Sequence, residues 1–546
     1  MATKSLLISY AGYPLSPTSF LPDNGLANLA SALIGRGHTT RILDFNTPQL
    51  VKRLYPSSFS QSIKPVMQKF MNGETLSVRE ILKLWVMEKK LHRYQDMQAS
   101  LIGKELVETV EKEGADFVGL KLWNGDGFTG SLRIAHELKN AYPKLPLFAG
   151  GPHVDIFREH IYTATRDFDA LVYGEGEETI VMLAQYVEGK RKLQEIPNLI
   201  FKKGGRTVTT AMRRIEDLDT LPYPIYDEGI YPAMGGNEKK MKMIVLDESR
   251  GCNNSCYFCI HPLKSGRLRV KTAQRVVDEM IAIKDKYGIA VFRYAGSNTP
   301  LKLMDGVARE ILRRRLKVEY TTFAHVRGVS LEVFKLLKSS GCFGVFLGIE
   351  SGSQRILDKG MNKGVKVEQI KKAILYAKEA GLFTAGSIIF PAPGETKATQ
   401  QQTLDLLSEA RPDSAPIQFP LIVPGTEWFS KPEIFGFQFN KNIFHQKAMN
   451  YKIKFMFPPR FWKPFPYKVN GKRFKKYAQE LEEFMEKVEE LGITTTISDE
   501  MALLAKYAGV TPRGFRDLNR LQFLTGNYEG IKKLVREINK NTVFNS

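Results

Sequence analysis

From Lys242 to Pro391 the sequence alternates short apolar runs with amphipathic helical runs five or six times. The apolar runs are "MIVLDESRG", "VFRYAG", "VEYTTFA", "GVFLGIES" and "TAGSIIFP". Helix-periodic stretches at 272–287, 304–315, 330–340 and 367–380 fill the gaps. A chain written this way has few choices. Each strand is buried on both faces, each helix returns the chain to the same edge, and parallel strands result. The expectation is a partial (β/α)6 TIM barrel over residues 241–430.

A second α/β unit precedes it. "SLLISYAG", the small-residue helix "NGLANLASALIGRGH" stopped by Gly35 and Gly37, and "TTRILDF" form a βαβ opening. The rhythm resumes at "ADFVGLKLW", "LPLFAGGPH" and "FDALVYGEGEE", and "NLIFKKGGRTVTT" reads as a hairpin around Gly-Gly. The reading is a Rossmann-like domain over 1–210 with a charged helical insertion at about 47–105. Residues 211–240, proline-bearing and without periodicity, are the linker. Residues 431–546 open on "YKIKFMFPPRFWKPFPYK" and end in amphipathic helices. They are expected to form a mainly helical C-terminal domain on the substrate side, acting as a cap.

The chain has 546 residues, enough for three or four domains. No apolar run approaches the roughly 20 residues of a membrane span, and "MATKSLLISYAGYP" has no long apolar signal region. A cytoplasmic protein is expected. The formal net charge is +21, which suits either a solvated surface or an acidic partner. From Lys431 onward there are 21 Lys and Arg against 12 Asp and Glu.

Four cysteines do not suggest a disulfide framework. Three of them, Cys252, Cys256 and Cys259, fall in the loop after the first barrel strand, where such barrels carry their active sites. A closed zinc site wants four ligands. His261 is a candidate fourth, but Cys-x3-Cys-x2-Cys-x-His is not a usual finger spacing. Cys342 reads as a packed small residue. The alternative is a [4Fe–4S] cluster held by three thiolates with one iron open to a chelating substrate.

Cys-x3-Cys-x2-Cys after a first strand, with Phe258 before the last cysteine, resembles the radical S-adenosylmethionine (SAM) superfamily. The resemblance implies Cys252, Cys256 and Cys259 as cluster ligands and SAM chelated at the open iron, cleaved to a 5′-deoxyadenosyl radical. "GVFLGIESGS" resembles the strand that packs along the adenine, placing Gly348, Ile349 and Glu350 there. "GSIIFPAPGET" and "FPLIVPGTEW" resemble later motifs of one subgroup. Where the family carries acidic or Gly-Gly-Glu residues for the SAM amino group, this chain has "GSNTP", so Ser297 and Asn298 take that place. His325 and Arg327 end the next strand and are expected at the site.

The first unit resembles the cobalamin-binding half of cobalamin (B12)-dependent radical SAM enzymes, in "NGLANLASALIGRGHTTRILD", "AGGPHVD", "VYGEGEET" and "IEDLDTLPYP". The resemblance runs from about Leu6 to Gly425. Gly150 and Gly151, and Gly174 and Gly176 flanking Glu175, are expected to let a nucleotide tail reach the backbone. The first loop lacks the Asp-x-His-x-x-Gly of classical cobalamin domains. Lys121, Leu122 and Trp123 stand where the family usually carries Ser-x-Leu. Cobalamin is therefore expected without histidine ligation, with Trp123 or Asn124 under the corrin.

The combination is most like the C-methyltransferases, which move a methyl group from SAM through methylcobalamin to an unactivated carbon. The expected substrate is a residue in a peptide or protein, such as glutamine or arginine. Alternatives are a cobalamin-dependent cyclase or rearrangement enzyme, or methylation of a lipid or small natural product. A non-catalytic cobalamin sensor has no need of an open iron. A tRNA methylthiolase carries an N-terminal cysteine triad, and residues 1–240 contain no cysteine. A flavodoxin- or ferredoxin-like reductant, usually acidic, is the expected protein partner; nucleic acid is not.

Overall fold

A computed structural model describes residues 2–71, 74–236, 239–296, 298–452 and 457–542. The first unit runs β1 (Lys4–Ser9), α1 (Asn24–Ile34), β2 (Thr39–Asp44), α2 (Pro48–Leu54), α3 (Ser57–Met71), α4 (Val78–Glu113), β3 (Phe117–Lys121), α5 (Asp126–Ala141), β4 (Leu147–Gly150), α6 (Pro152–Phe157), β5 (Ala170–Val172), α7 (Glu177–Val187), β6 (Leu199–Lys203) and β7 (Arg206–Thr209). Its sheet has the order β2-β1-β3-β4-β5-β6-β7. The first five strands are parallel, and the β6–β7 hairpin closes the edge antiparallel.

The helical segment expected over 47–105 runs further, because α4 is continuous for 36 residues. Ser77 starts it with a capping box, and Gly114 stops it in the left-handed region at φ 61°. Its second half lies along α5, so one helix both extends from the domain and makes the β2-to-β3 crossover.

The second unit runs β8 (Ile244–Leu246), β9 (Ser249–Arg250), α8 (His261–Ser265), β10 (Arg269–Val270), α9 (Ala273–Tyr287), β11 (Val291–Tyr294), α10 (Leu301–Arg313), β12 (Glu319–Ala324), α11 (Leu331–Ser339), β13 (Cys342–Glu350), α12 (Val367–Glu379), β14 (Phe383–Ile389), α13 (Lys397–Ala410) and β15 (Ile417–Gln418). Six strands in the order β15-β14-β13-β12-β11-β8, all parallel, make an open, partial (β/α)6 barrel. Short β9 and β10 pair beside the cysteine loop. Both units are α/β, and the strand ends that carry loops face each other.

The rest comprises α14 (Glu427–Ser430), α15 (Lys441–Met449), β16 (Phe437–Gln438) paired with β17 (Lys468–Val469), α16 (Phe474–Glu490), α17 (Asp499–Tyr507), α18 (Pro512–Leu524) and α19 (Tyr528–Asn541). Much of it is scaffold. Helix α17 closes the N-terminal end of the barrel: Tyr507 and Lys506 hold Glu319, and Glu500 pairs with Arg293 of β11 at 2.5 Å. Helices α18 and α19 pack back on the first unit, where Tyr13 and Tyr55 donate to the Phe523 and Leu524 carbonyls. Part of the aromatic stretch packs on the core: Tyr467 is buried and Phe465 half-buried, while Phe461 is exposed. Phe465 and Tyr467 stack on each other, and Phe465 packs edge-on to Phe419 and Phe474. Within that stretch, residues 453–456 lie outside the described residues.

Candidate active site

Strand β8 carries the chain to the loop face of the barrel, and Gly251 turns it. Gly251 has φ 83°, and a Cβ there would meet the Arg267 carbonyl at 2.2 Å. Only glycine fits this close approach. The cysteine loop is then held from three sides. The Cys252 amide donates to Gly266 O (3.1 Å), and Asn253 accepts from the Leu268 amide (3.0 Å). The Tyr257 amide donates to Met361 O (2.9 Å), and Asn362 donates to Ser255 O and Oγ. Trp428 lies underneath, fully buried. Its indole N–H reaches Gly360 O (2.8 Å), its amide reaches Tyr257 O, and its ring packs on Phe258.

Cys252, Cys256 and Cys259 are partly buried and unbridged. Burial pushes the Cys256 thiol up and the Cys259 thiol up to about 11. Thiols so placed ionise against a bound cation, which suits metal ligands better than free nucleophiles. Three partly buried thiols on one short loop, with the Asn254 and Asn298 amides directed at Cys252 Sγ, fit a cluster at this loop. Cys342 lies at the other end of β13, buried, its thiol raised by desolvation and donating to Gly344 O.

Around the loop stand the expected SAM-side residues. Asn298 directs its amide at Cys252 Sγ from 3.9 Å; Ser297 lies outside the described residues. Arg327 donates to Asn254 Oδ1 at 2.5 Å, and Asn254 in turn donates to Cys252 Sγ at 3.3 Å. Arg327 therefore braces the loop through Asn254. His325 accepts the Arg327 amide at Nδ1 (3.1 Å), so its proton sits on Nε2, a buried atom without a partner among the described residues. Burial and the cations Lys363 and Arg327 push this imidazole down to about 4, leaving it neutral. An orphaned donor at the loop face suits a bound polar ligand.

Glu350 ends β13 at φ 65° and pairs with Lys363 at 3.0 Å. Gly348 makes that possible, since a Cβ there would sit 2.7 Å from Lys363 Nζ. Glu248, fully buried, accepts from the Gly296 amide (3.0 Å), Thr299 (2.7 Å) and Ser249 (2.8 Å). It ties the end of β8 to the end of β11, and burial raises its carboxyl.

A cavity of about 340 Å³ runs from the core of the first unit to this loop. Its deep end is apolar, between Leu7, Leu26, Leu29, Phe148 and Ile180, and Gly119, Gly150, Gly151, Gly174 and Gly176 line it. Gly151 has φ 101°, a conformation that favours glycine, and a Cβ there would crowd Lys121 Cγ at 3.0 Å. Glycine faces over apolar side chains suit a flat aromatic base with its tail against the backbone. The outer end is barrel: Asp247, Ser249, Arg250, Gly251 and Ala295. Gly251 directly precedes Cys252, so one cavity joins the two units.

Two of the expected cofactor-side residues also carry structural ion pairs. Glu175 lines this cavity, but its carboxylate accepts from Arg269 of β10 (2.5 and 3.1 Å) and from the Ile215 amide (2.8 Å). With Arg250–Glu177 at 2.5 Å it clasps the units together. Lys121 is held by Asp23 at 2.7 Å and stands 4.3 Å over the Trp123 ring.

Trp123 and Asn124 line a second cavity of about 650 Å³, at the open edge of the barrel beside β8. The Trp123 indole donates to Ser9 Oγ (3.1 Å). Tyr13, Val245, Arg293, Glu500 and Tyr451 also line it, and none of the described residues lining it is a histidine. Lys121 borders both cavities.

Glu248, Lys363 and Trp428 were not singled out from sequence. Glu248 left a signal, the second of two acids that follow an apolar strand in "MIVLDE". Lys363 left none, since nothing marks a loop lysine as buried.

Two family profiles match the chain, the B12 binding domain over residues 86–184 and the Radical SAM superfamily over residues 249–407. An uncharacterised methyltransferase of Pyrococcus horikoshii is 29% identical over 329 residues, covering 59% of this chain and 70% of that one. The anaerobic magnesium-protoporphyrin IX monomethyl ester cyclase of Cereibacter sphaeroides is 28% identical over 305 residues, 53% of this chain and 49% of its own. Among solved structures, the radical S-adenosylmethionine methyltransferase TsrM of Kitasatospora setae, with cobalamin and a [4Fe-4S] cluster bound, aligns over 98% of this chain and 100% of that one. Its TM-score is 0.63 and its identity 17%, a likeness of fold.

Proposed function

We propose that this chain, which belongs to the cobalamin-dependent radical SAM enzymes, is a methyltransferase acting on an unactivated carbon, EC 2.1.1-type, with a residue in a peptide or protein as its substrate. The observation that carries the reading is the cavity running from glycine-lined strand ends of the B12-binding domain to the residue before Cys252. When bound, the cluster supplies the electron that cleaves SAM and cobalamin carries a methyl group. The chain's own part is to hold, orient and shield. Cys252, Cys256 and Cys259 are the cluster ligands. Gly348 and the Glu350–Lys363 pair floor the space for SAM, Asn298 faces its amino end, and the neutral His325 offers Nε2–H. Arg250 and Arg269 fix the B12-binding domain over the barrel, so the two cofactor spaces share one wall. Gly150, Gly151, Gly174 and Gly176 admit the nucleotide tail, while Trp123 and Asn124 face the second cavity.

The deciding experiment is anaerobic reconstitution with iron, sulfide and cobalamin, then reductant and SAM, with mass spectrometry of the products. 5′-Deoxyadenosine and S-adenosylhomocysteine rising together with a methylated peptide support the proposal. 5′-Deoxyadenosine alone favours a cyclase or rearrangement, as in the Cereibacter relative's name, and removes the methyl-transfer half. Bound Co(II) cobalamin is expected to show no nitrogen superhyperfine coupling, because among the described residues the one histidine lining either cavity, His261, comes from the barrel's cysteine loop and not from the B12-binding domain.

A further inference from the structure

Helix α4 leaves one face uncovered. Its packed face is Leu84, Leu91 and Ala99. A third of a turn away, Val78 (74% exposed), Ile81 (39%), Leu82 (57%), Trp85 (44%) and Val86 (44%) stand at i, i+3, i+4, i+7 and i+8, the spacing of one helical face. Single exposed apolar residues need no explanation, but a contiguous stripe does. Along the same stretch Arg79, Lys83, Lys89, Lys90 and Arg93 are all exposed. The acids there are otherwise engaged: Glu80 is tied to Lys69 and Ser77, and Glu88 is buried. Lys89 Nζ lies 3.5 Å from the Trp85 ring centroid, so the cation sits on the edge of the apolar stripe.

We propose that this face of α4 docks the enzyme on an anionic membrane surface. An apolar stripe bearing Trp and flanked by Lys and Arg is the pattern that lies in a lipid interface, its rings at headgroup level and its cations on anionic headgroups. The net charge of +21 acts in the same direction. A second copy of the chain is the poorer occupant, because a two-fold contact through this face would set five cations against five. No helix among the described residues is long and apolar enough to cross a membrane, so the contact is peripheral. The face also points somewhere useful. Further along α4, Asp96 pairs with Lys452 (3.5 Å), and Lys452 pairs with Asp126 (2.8 Å) on the wall of the second cavity. Trp85 is eleven residues before Asp96, roughly 16 Å along the helix. A docked chain presents that cavity close to the bilayer. This inference is independent of the methyl-transfer reading.

The test is flotation of the full chain with phosphatidylcholine vesicles, with and without phosphatidylglycerol, at low and raised salt. The chain should float only with the anionic vesicles and be released by salt. L82E/W85E and K83E/K89E/K90E should each bind at least about tenfold more weakly. K533E/K540E, on the basic α19 whose apolar face is packed away, should lose less binding than either of these. Circular dichroism checks that each variant is folded. Absence of flotation overturns the proposal. So does loss in K533E/K540E with retention in L82E/W85E, which would mean bulk charge alone. A dimer by light scattering that L82E/W85E dissolves would make the face an interface between copies. Retention on polyglutamate but not on vesicles would make it a site for an acidic protein.

Discussion

Lys363→Met isolates the buried ion pair at the end of β13. The Lys363 side chain is 11% exposed and that of Glu350 9%, with Nζ and Oε1 3.0 Å apart. Removing the lysine leaves a carboxylate buried beside the partly buried Cys256, which costs about 3–5 kcal/mol in comparable pairs. For a unit of the barrel's size that is on the order of 10 °C in Tm. Lys363→Met/Glu350→Gln removes both charges and should recover at least half of the loss, since a neutral amide needs no counter-ion. Burial works against the Lys363 ammonium, but Glu350 and the neighbouring thiols outweigh it and hold its pKa above the ordinary value. A raised lysine contributes stability that is fully present below its unfolded value of about 10.4 and is lost as pH rises through the folded one. The gap between parent and variant should therefore be flat from about pH 6 to about pH 9. The assay is calorimetry of the reduced apo-chain. A Tm for Lys363→Met within about 2 °C of the parent, or a double variant no more stable than the single, would refute the reasoning.

Cys252→Ala, Cys256→Ala and Cys259→Ala should each lose the visible absorbance of the reconstituted cluster and SAM cleavage, while Cys342→Ala keeps both; retained cleavage in any of the first three contradicts the ligand set. Gly251→Ala should cut iron loading severely and cost roughly 2–3 kcal/mol, from the left-handed φ and the clash with Arg267 O; iron analysis and calorimetry decide it. Burial pushes His153 down to about 4 in its ring stack with Phe128 and Phe157. The unfolded chain takes up the proton first, so stability should fall as pH drops from about 6.5 to 4, by at most about 3 kcal/mol. His153→Phe should flatten that slope in urea titrations, and an unchanged slope would count against it.

Both α/β units were legible because their patterns are local. Strand length, helix period and stopping glycines sit within a few residues of each other, and the parallel order follows from alternation. The three cysteines stand out because their spacing is itself the signal. What sequence could not show was which partners the folded chain supplies from far away. Lys363 reaches Glu350 only because Gly348 leaves room, and Trp428 reaches the cysteine loop from beyond the barrel. The "FMFPPRFWKPFPYK" stretch reads as a substrate-side cap, but a sequence does not state which of its aromatics find each other: Phe465 and Tyr467 stack, while Phe461 stays exposed.

Glu175 shows how the two kinds of information differ. An acid between two glycines at a strand end reads as a cofactor ligand. In the folded chain Arg269 and the Ile215 amide take its oxygens, and Arg250 binds Glu177 two residues on. Both arginines flank the cysteine loop in sequence, and both acids flank the glycines of the cavity. The cavity wall and the domain clasp are therefore the same short segments. Glycine shapes the space while the acid beside it fixes where the barrel stands. The ion pairs at 2.5 Å act together with a shared apolar core and with Tyr231 of the linker, which donates to Asp44, in holding the two units against each other. Reversing Arg250 or Arg269 to glutamate places like charges in a buried contact and should lower the Tm read by calorimetry.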